Sequence, residues 1–429
     1  MHGSAPVNVR FFLDPSVSHP AVIFEIGGKR ILIDPGVDSD PKKSLHYISQ
    51  YNPENLDAIL ITHFHGDHSA LVLKILESGR FKGKIVFHNA TAAIMRVYFN
   101  GFDQYSRQFV TLKYGEHKNL FGSVWITLLN AGHVLGSSIF SLMSKDKHVV
   151  VTGDLGAKSL PLVQEPDKDF FPIPIDLCIA DAKQIGKAKV IDGNDYPLGD
   201  ILFFKIKDCF MFDQGSILIY APLVQIPPLL YCLNYIFENP KFQGIQEKID
   251  AVFLDPQQKL LELIEVFENF THLLDTSEKE HVPFDKSHFN FDKLKKHLPE
   301  NKTSHRKSII ITPNRNVFGK YFRQLKQSEE NDVLLLNNNI HYALKDSSKQ
   351  IDKLCNIQIK RIPFLHYHPD LEELAGFCKH IREKVGVKKF VLYHYKDRKR
   401  IKKFHKGIKE KIGGKVDLVH ELNNGKICV

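Results

Sequence analysis

Tryptophan occurs once in this 429-residue chain, methionine four times and cysteine six times. The cysteines (Cys178, Cys209, Cys232, Cys355, Cys378, Cys428) are scattered and include no CxxC pair. They read as reduced thiols of a cytosolic protein, not as a disulfide framework. No apolar run approaches the roughly 20 residues that a membrane helix requires. The start, MHGSAPVNVRFFLDP, has no charged stretch followed by an apolar core, so no secretory signal is expected. The chain has no internal repeat. Its hydrophobic fraction of 43% and charged fraction of 25% exclude a wholly disordered chain and a collagen. At roughly 150 residues per domain, the length corresponds to two or three domains, or one elaborate one. What the chain has in quantity is positive charge and histidine. Lys and Arg number 58 against 49 Asp and Glu, a net charge of +9 that is compatible with a polyanionic partner. There are 22 histidines, and their positions carry most of the functional argument.

The first 195 residues alternate strand and helix signals. VRFFL and AVIFEI are apolar runs, and Gly27-Gly28 predicts a hairpin into KRILID. Ala58–Ile61 reads as a short buried strand, His68–Glu77 as a helix, KIVFHN as a strand and TAAIMRVYFN as a helix. Four strands then follow in close succession, in SVWITLLNAG, SSIFSLM, KHVVVTG and DLCIAD. This sheet-rich α/β pattern, with many short returns, differs from a doubly wound parallel sheet. From about 200 to 360 the character changes. GSILIYAP, SIIITP and DVLLLN read as strands, IPPLLYCLNYIF and Leu260–Leu274 as helices, and the polar stretch 275–307 as a long surface loop or mobile insertion. Beyond 361, Asp370–Val385 and the basic Arg398–Ile412 read as helices and KKFVLYHY as a strand. VDLVHEL and KICV read as a closing hairpin across Asn423-Asn424-Gly425.

The strongest local signal is His63-Phe64-His65-Gly66-Asp67-His68, placed directly after the apolar strand AILIT. Imidazole nitrogens and a carboxylate oxygen suit Zn²⁺, a borderline cation. A strand end gives such ligands a rigid base, and Gly66 lets the backbone turn between the two pairs. Further ligand-type residues stand at other strand ends. Asp34 follows ILI, His133 follows VWITLLNAG, and Asp154 follows VVVTG. A lone His or Asp after a strand is usually a turn or cap residue. Here the strand-then-ligand pattern repeats.

In that order, these motifs resemble the metallo-β-lactamase-fold superfamily. AGHVLGS is similar, more narrowly, to its β-CASP nuclease branch, which includes RNase J and the mRNA 3′-end cleavage endonucleases. Three later positions continue the resemblance: Asp181 in LCIADAK, His368 in His368-Pro369-Asp370, and His394 in KKFVLYHY. The resemblance implies an α/β fold, a four-layer αβ/βα sandwich built from residues 1–195 and 361–429. An inserted α/β cap domain would span 196–360. It implies two Zn²⁺ ions, with Mn²⁺ or Fe²⁺ compatible with the same ligands. His63, His65 and His133 would hold one ion and Asp67, His68 and His394 the other, with Asp154 bridging. Asp34 would hydrogen-bond a ligand and fix its orientation. The two ions would hold a hydroxide for in-line attack on a phosphodiester. His368, oriented by Asp181, would protonate the leaving oxygen as general acid. Two plainer readings stand beside these roles: His368 as a cap of the following helix, and Asp181 as a turn residue.

The function implied is a zinc-dependent nuclease that hydrolyses RNA, with single-stranded DNA as a second substrate class. Such a protein would be cytoplasmic, or nuclear in a eukaryote, with a homodimer or processing-complex partner. Lys396, Arg398, Lys399, Arg400, Lys402 and Lys403 follow His394 and would meet phosphates. Arg315, after the strand SIIIT, is a further candidate. The chain departs from the branch in three places. AKQIG replaces the usual tail after the Asp181 acid, Gln225-Ile226 stands where the branch has Gly-Arg, and the loop Thr312–Asn316 lacks the usual glycine. Two other functions fit these residues: a hydrolase of a small ester, thioester or lactone, and an inactive RNA-binding subunit.

Overall fold

The structure is a computed structural model. It describes residues 6–12, 21–36, 41–145, 147–157, 160, 162–169, 173–183, 206, 216–274, 289, 291–299, 307–326, 332–335, 358–361, 368–395, 398–422 and 426–429. For 41–45, 241, 322–326, 332–335, 358–361, 398–400, 403 and 404 the description is limited to the backbone. Among the described residues, no helix is long and apolar enough to cross a membrane. The chain divides into two compact units, one formed by 1–189 with 367–429 and the other by 190–366.

The first unit holds two seven-stranded sheets. In chain order the strands of the first are β1 (Asn8–Phe11), β2 (Val22–Ile26), β3 (Lys29–Ile33), β4 (Ala58–Ile61), β5 (Lys84–His88) and β6 (Phe109–Leu112), joined at the chain's end by β20 (Lys426–Cys428). They lie in the order β20-β1-β2-β3-β4-β5-β6. β2 and β3 form the expected hairpin, with Gly27 and Gly28 at φ +56° and +74°. From β3 to β6 the pairing is parallel. The second sheet contains β7 (His117–Asn119), β8 (Trp125–Asn130), β9 (Ser138–Ser144), β10 (Lys147–Val151), β11 (Leu177–Asp181), β18 (Phe390–Tyr393) and β19 (Val416–Leu418). Its order is β19-β18-β11-β10-β9-β8-β7.

Strand alternation explains the layering. Ile31, Ile33, Ala58, Leu60 and Val86 share one core with Ile126, Leu128, Phe140, Leu142 and Val150 of the second sheet. The intervening residues Leu32, Ile59, Ile61, Ile85 and Phe87 are also buried but lie outside that core, so the first sheet is covered on both faces. The helices Leu371–Val385 and Arg398–Ile412 bring Leu374, Phe377, Ile381, Ile401 and Ile408 against the second sheet. The result is an α/β sandwich with two sheets packed at its centre.

The second unit carries a six-stranded sheet in the order β14-β13-β15-β12-β16-β17, formed by β12 (Ile217–Tyr220), β13 (Ala251–Leu254), β14 (Leu294–Lys295), β15 (Ser308–Thr312), β16 (Asp332–Leu335) and β17 (Gln358–Arg361). Every pairing in it is parallel. The apolar helices Ile226–Glu238 and Gln258–Asn269 supply connections that parallel strands need.

Three expectations are corrected. VDLVHEL and KICV form no hairpin, because β19 pairs with β18 in the second sheet and β20 pairs with β1 in the first. The turn between them, 423–425, lies outside the described residues. The reading of 275–307 as a surface loop fails at its centre: Phe289, Phe291 and Leu294 are buried, and β14 adds an edge strand to β13. His68–Glu77 is two short helices, Gly66–Ser69 and Val72–Glu77, separated where Leu71 donates its N–H to the carbonyl of Pro35.

Candidate metal centre

The ligand-type residues gather at the carboxyl ends of strands in both sheets of the first unit. Asp34 follows β3, His63 follows β4, His133 follows β8, Asp154 follows β10, Asp181 ends β11 and His394 follows β18. β9 runs antiparallel and begins at this edge, where the Ser138 N–H donates to the Thr62 carbonyl and ties the two sheets together at 2.8 Å. Asp34 and His394 both adopt left-handed backbone, at φ +53° and +60°. That conformation costs a non-glycine residue about 1–3 kcal/mol and recurs at functional sites. Glycine is needed where the loops close. A Cβ on Gly36 would lie 1.8 Å from the Asp67 carbonyl oxygen, and Gly153, at φ +58°, would meet Thr62 at 2.6 Å.

Hydrogen-bond accounting sets the tautomers. Asp34 is an acceptor only, and it receives the Thr62 N–H (2.8 Å), the Thr62 hydroxyl (2.7 Å) and His68 Nδ1 (2.8 Å). Since the Thr62 proton goes to Asp34, its oxygen accepts from His63 Nδ1–H at 3.0 Å. His63 and His68 therefore carry their protons on Nδ1 and turn Nε2 inward. One buried carboxylate thus orients a histidine in each half of the cluster, as ligand histidines are commonly oriented.

The inward atoms form two sets. His65 Nδ1 lies 2.9 Å from His63 Nε2 and 3.2 Å from His133 Nε2. Ligands about 2.05 Å from a tetrahedral zinc would stand about 3.3 Å apart, close to this spacing. His68, His394 and Asp67 form the second set, with Asp67 Oδ2 3.3 Å from His394 Nε2 and 3.9 Å from His68 Nε2. Asp154 stands between them. Its Oδ2 is 3.7 and 3.6 Å from His63 and His133 Nε2, while its Oδ1 is 3.1 Å from His68 Nε2 and 2.7 Å from His394 Nδ1. Both groups, His63–His65–His133–Asp154 and Asp67–His68–His394, have donor atoms within 4.8 Å of one another.

The donor set fits a divalent cation. His68 Nε2, Asp154 Oδ1 and His394 Nδ1 are buried and close together, yet none makes a hydrogen bond. Such buried groups would otherwise carry an uncompensated desolvation cost. The charge balance points the same way. Burial pushes His63 well below the usual histidine range and His65 down to about 4, so both are neutral and offer lone pairs. Burial works against a charged His68 and His394 too, but there the carboxylates win. Asp154, Asp34 and Asp67 hold His68 well above its ordinary value, and Asp154 raises His394 to about 9. Burial would raise Asp154 and Asp67, yet both stay well below the carboxylate range because of the cations around them. A carboxylate excess of this kind takes up protons or a metal ion, and binding the metal releases the protons.

His368 and Asp181 form a dyad beside the cluster. His368 Nδ1 donates to Asp181 Oδ2 at 2.7 Å, which leaves Nε2 free, 3.5 Å from Asp154 Oδ2. Asp181 is fully buried and fixed by the N–H groups of Leu155 and Lys183. The helix that follows is capped by Asp370, whose side chain and that of Glu373 bond each other's backbone N–H at 2.9 Å, so His368 is not its cap. Arg315 is exposed at the start of the helix Arg315–Lys326 in the second unit, and the side chains of Arg398 and Arg400 lie outside the described residues. One participant escaped the sequence reading. Lys183, just beyond β11, places Nζ 2.9 Å from Asp67 Oδ2 and 3.4 Å from Asp154 Oδ2. Its sequence signal was its position two residues after Asp181, where the Lys183 N–H donates back to Asp181 Oδ1 and the chain turns.

Residues 15–190 match the metallo-beta-lactamase superfamily. The chain carries a metallo-β-lactamase-fold domain. Its curated relatives include "Endoribonuclease ysh1" of Emericella nidulans, 28% identical over 177 residues that cover 36% of this chain and 19% of that protein. "Cleavage and polyadenylation specificity factor subunit 3-I" of Arabidopsis thaliana is 27% identical over 157 residues, 32% of this chain and 23% of that one. The resemblance to the β-CASP branch holds at this low identity, and the chain spans about a fifth of the length of these relatives. Among solved structures, a protein of unknown function from Enterococcus faecalis V583 superposes with a TM-score of 0.59 at 11% identity, covering 99% of this chain and 100% of that one. That likeness concerns the fold alone. Within the metallo-β-lactamase-fold match lie Asp34, the HFHGDH block, His133, Asp154, Asp181 and Lys183, whereas His368 and His394 lie beyond it in sequence.

Proposed function

We propose that this chain is a metal-dependent ribonuclease that hydrolyses phosphodiester bonds. The observation that carries the reading is the position of Asp154, with one oxygen turned to each set of ligand-type side chains, beside a His368–Asp181 dyad. The names of the endoribonuclease relatives support RNA as the substrate class, and so does a net charge of +9. Single-stranded DNA is the second substrate class. The free buried cysteines Cys178 and Cys378 accord with a reducing compartment, cytoplasmic or nuclear, and a processing complex or a second copy is the partner class.

Two Zn²⁺ ions, one at His63, His65 and His133 and one at Asp67, His68 and His394 with Asp154 between them, would supply a nucleophile from water at neutral pH and neutralise phosphoryl charge. The remaining chemistry belongs to side chains. Asp34 and Thr62 hold His63 and His68 in their ligating orientation. Asp181 accepts the Nδ1 proton of His368 and compensates the imidazolium when Nε2 is also protonated. From Nε2 the second proton passes to the departing oxygen, a contribution of about 10²–10⁴ in rate.

The test is cleavage of end-labelled single-stranded RNA and DNA by the purified chain and three variants, with metal content measured on each. Asp67→Ala/His68→Ala should lose cleavage together with one metal ion. His368→Ala should lose about 10²–10⁴ in kcat with metal content unchanged. Asp181→Asn should follow His368→Ala in the same assay. Two ions bound with no cleavage of either polymer would defeat the nuclease reading and favour a small-ester hydrolase.

A further inference from the structure

Lys183 is the cation that the metal-site reading does not require. Its backbone is fixed, because its N–H donates to Asp181 Oδ1 at 2.9 Å. Its side chain is only 16% exposed, and its ammonium reaches Asp67 Oδ2 and Asp154 Oδ2 at 2.9 and 3.4 Å. Among the described residues, no other lysine or arginine pairs with either carboxylate. Asp67 Oδ2 is also the oxygen that faces His68 and His394. An ammonium ion and a divalent cation therefore draw on the same oxygen. The contact with Asp154 is made through Oδ2, on the side of His63 and His133, and that set has three neutral-capable imidazoles besides. The Asp67–His68–His394 set has no such reserve, since Asp67 is its single carboxylate apart from the shared Asp154.

We propose that Lys183 is a built-in competitor at the Asp67–His68–His394 site, making metal loading sequential. The first ion enters at His63, His65, His133 and Asp154. The second binds only as the Lys183 ammonium gives up Asp67. Four carboxylates (the buried Asp34, Asp154 and Asp181 and the partly exposed Asp67) balance two divalent ions by formal charge, and Lys183 leaves one positive charge over. An anionic phosphodiester supplies the matching negative charge. Substrate and second metal therefore favour each other's binding, and full loading is linked to substrate.

The inference rests on the metal-site reading and is tested by binding. The full chain, stripped with a chelator, is titrated with Zn²⁺ against a chromophoric competitor, and with Co²⁺ to follow the ligand-field spectrum. Wild type should show one tight and one weak site. Lys183→Met should tighten the second site by at least about tenfold, because the ammonium that competes for Asp67 Oδ2 is removed. The first site should stay within a few-fold, which also reports that the variant is folded. Lys183→Arg should keep the second site weak. Equal affinities at both sites in wild type, or a second-site affinity unmoved in Lys183→Met, would overturn the inference while leaving the metal centre intact. A wild-type chain that binds neither ion would overturn the metal-site reading itself.

Discussion

Thr62 and Asp34 do not touch substrate in the proposed mechanism, yet they decide which nitrogen each inward histidine presents. Asp34 receives three donors and has no proton to give. An amide at that position would place a donor against donors and release either Thr62 or His68. Asp34→Asn should therefore weaken Zn²⁺ binding by about 10–100-fold while the fold persists, as read by competitive metal titration with circular dichroism as control. An unchanged affinity would mean that the histidines are oriented by packing alone. The left-handed backbone at Asp34 and His394 belongs to the same scale. Both residues leave a strand and must turn inward at once, and the local strain is held by the strands behind them.

At the scale of elements, a strand places two kinds of residue, and β10 shows both. Its end delivers Asp154 to the cluster, and its second residue, His148, is buried in the opposite part of the strand. His148 Nδ1 donates to the Ile173 carbonyl at 3.0 Å, and Nε2 accepts from the Ser141 hydroxyl at 2.8 Å. Burial holds its pKa below the ordinary 6.5. The unfolded chain then binds the extra proton, so the stability that His148 contributes is present above pH 6.5 and is lost as pH falls through the depressed folded value. Thermal melts from pH 7.5 to 5 should show a shallower loss of Tm in His148→Gln than in wild type. Parallel curves would remove His148 from the acid response. The termini make the complementary point: β19 and β20 are only seven residues apart but enter different sheets, so short spacing did not mean a hairpin.

At the scale of the whole molecule, charge and topology act together. The first unit is discontinuous in sequence, since 367–429 return to complete it with β18, β19, β20 and the helices Leu371–Val385 and Arg398–Ile412. His368 and His394 enter the cluster only through that return. Lys402, Lys406, Lys409 and Lys411 are exposed on the last of these helices, although Lys406 pairs with Glu410 and Lys411 with Glu372. If these residues and their neighbours bind RNA, the logarithm of the binding constant should fall linearly with that of salt concentration, by about 0.7 for each phosphate contacted. Arg398→Ala/Arg400→Ala should flatten that slope by about 1.4 if both arginines meet phosphates. An unchanged slope would remove them from the interface.

The sequence by itself determined the fold class and most of the chemistry of the cluster. Asp34, the HFHGDH block, His133 and Asp154 were legible because each follows an apolar strand, and strand ends are local features, whereas Asp181, His368 and His394 were reached through the family resemblance. Short apolar runs, each closed by a ligand-type residue, carry that information without any partner. What it did not hold was which donors share an ion-sized space, because that depends on two sheets packing with their carboxyl ends at one edge. The bridging posture of Asp154, the orphaned nitrogens of His68 and His394, and the reach of Lys183 across to Asp67 arise only there. Long-range pairing likewise decided the separate destinations of β19 and β20 and the burial of Phe289 and Phe291 in a polar stretch. A sequence pattern fixes which face of an element is apolar, while the neighbour it meets is chosen by the fit of all the faces at once.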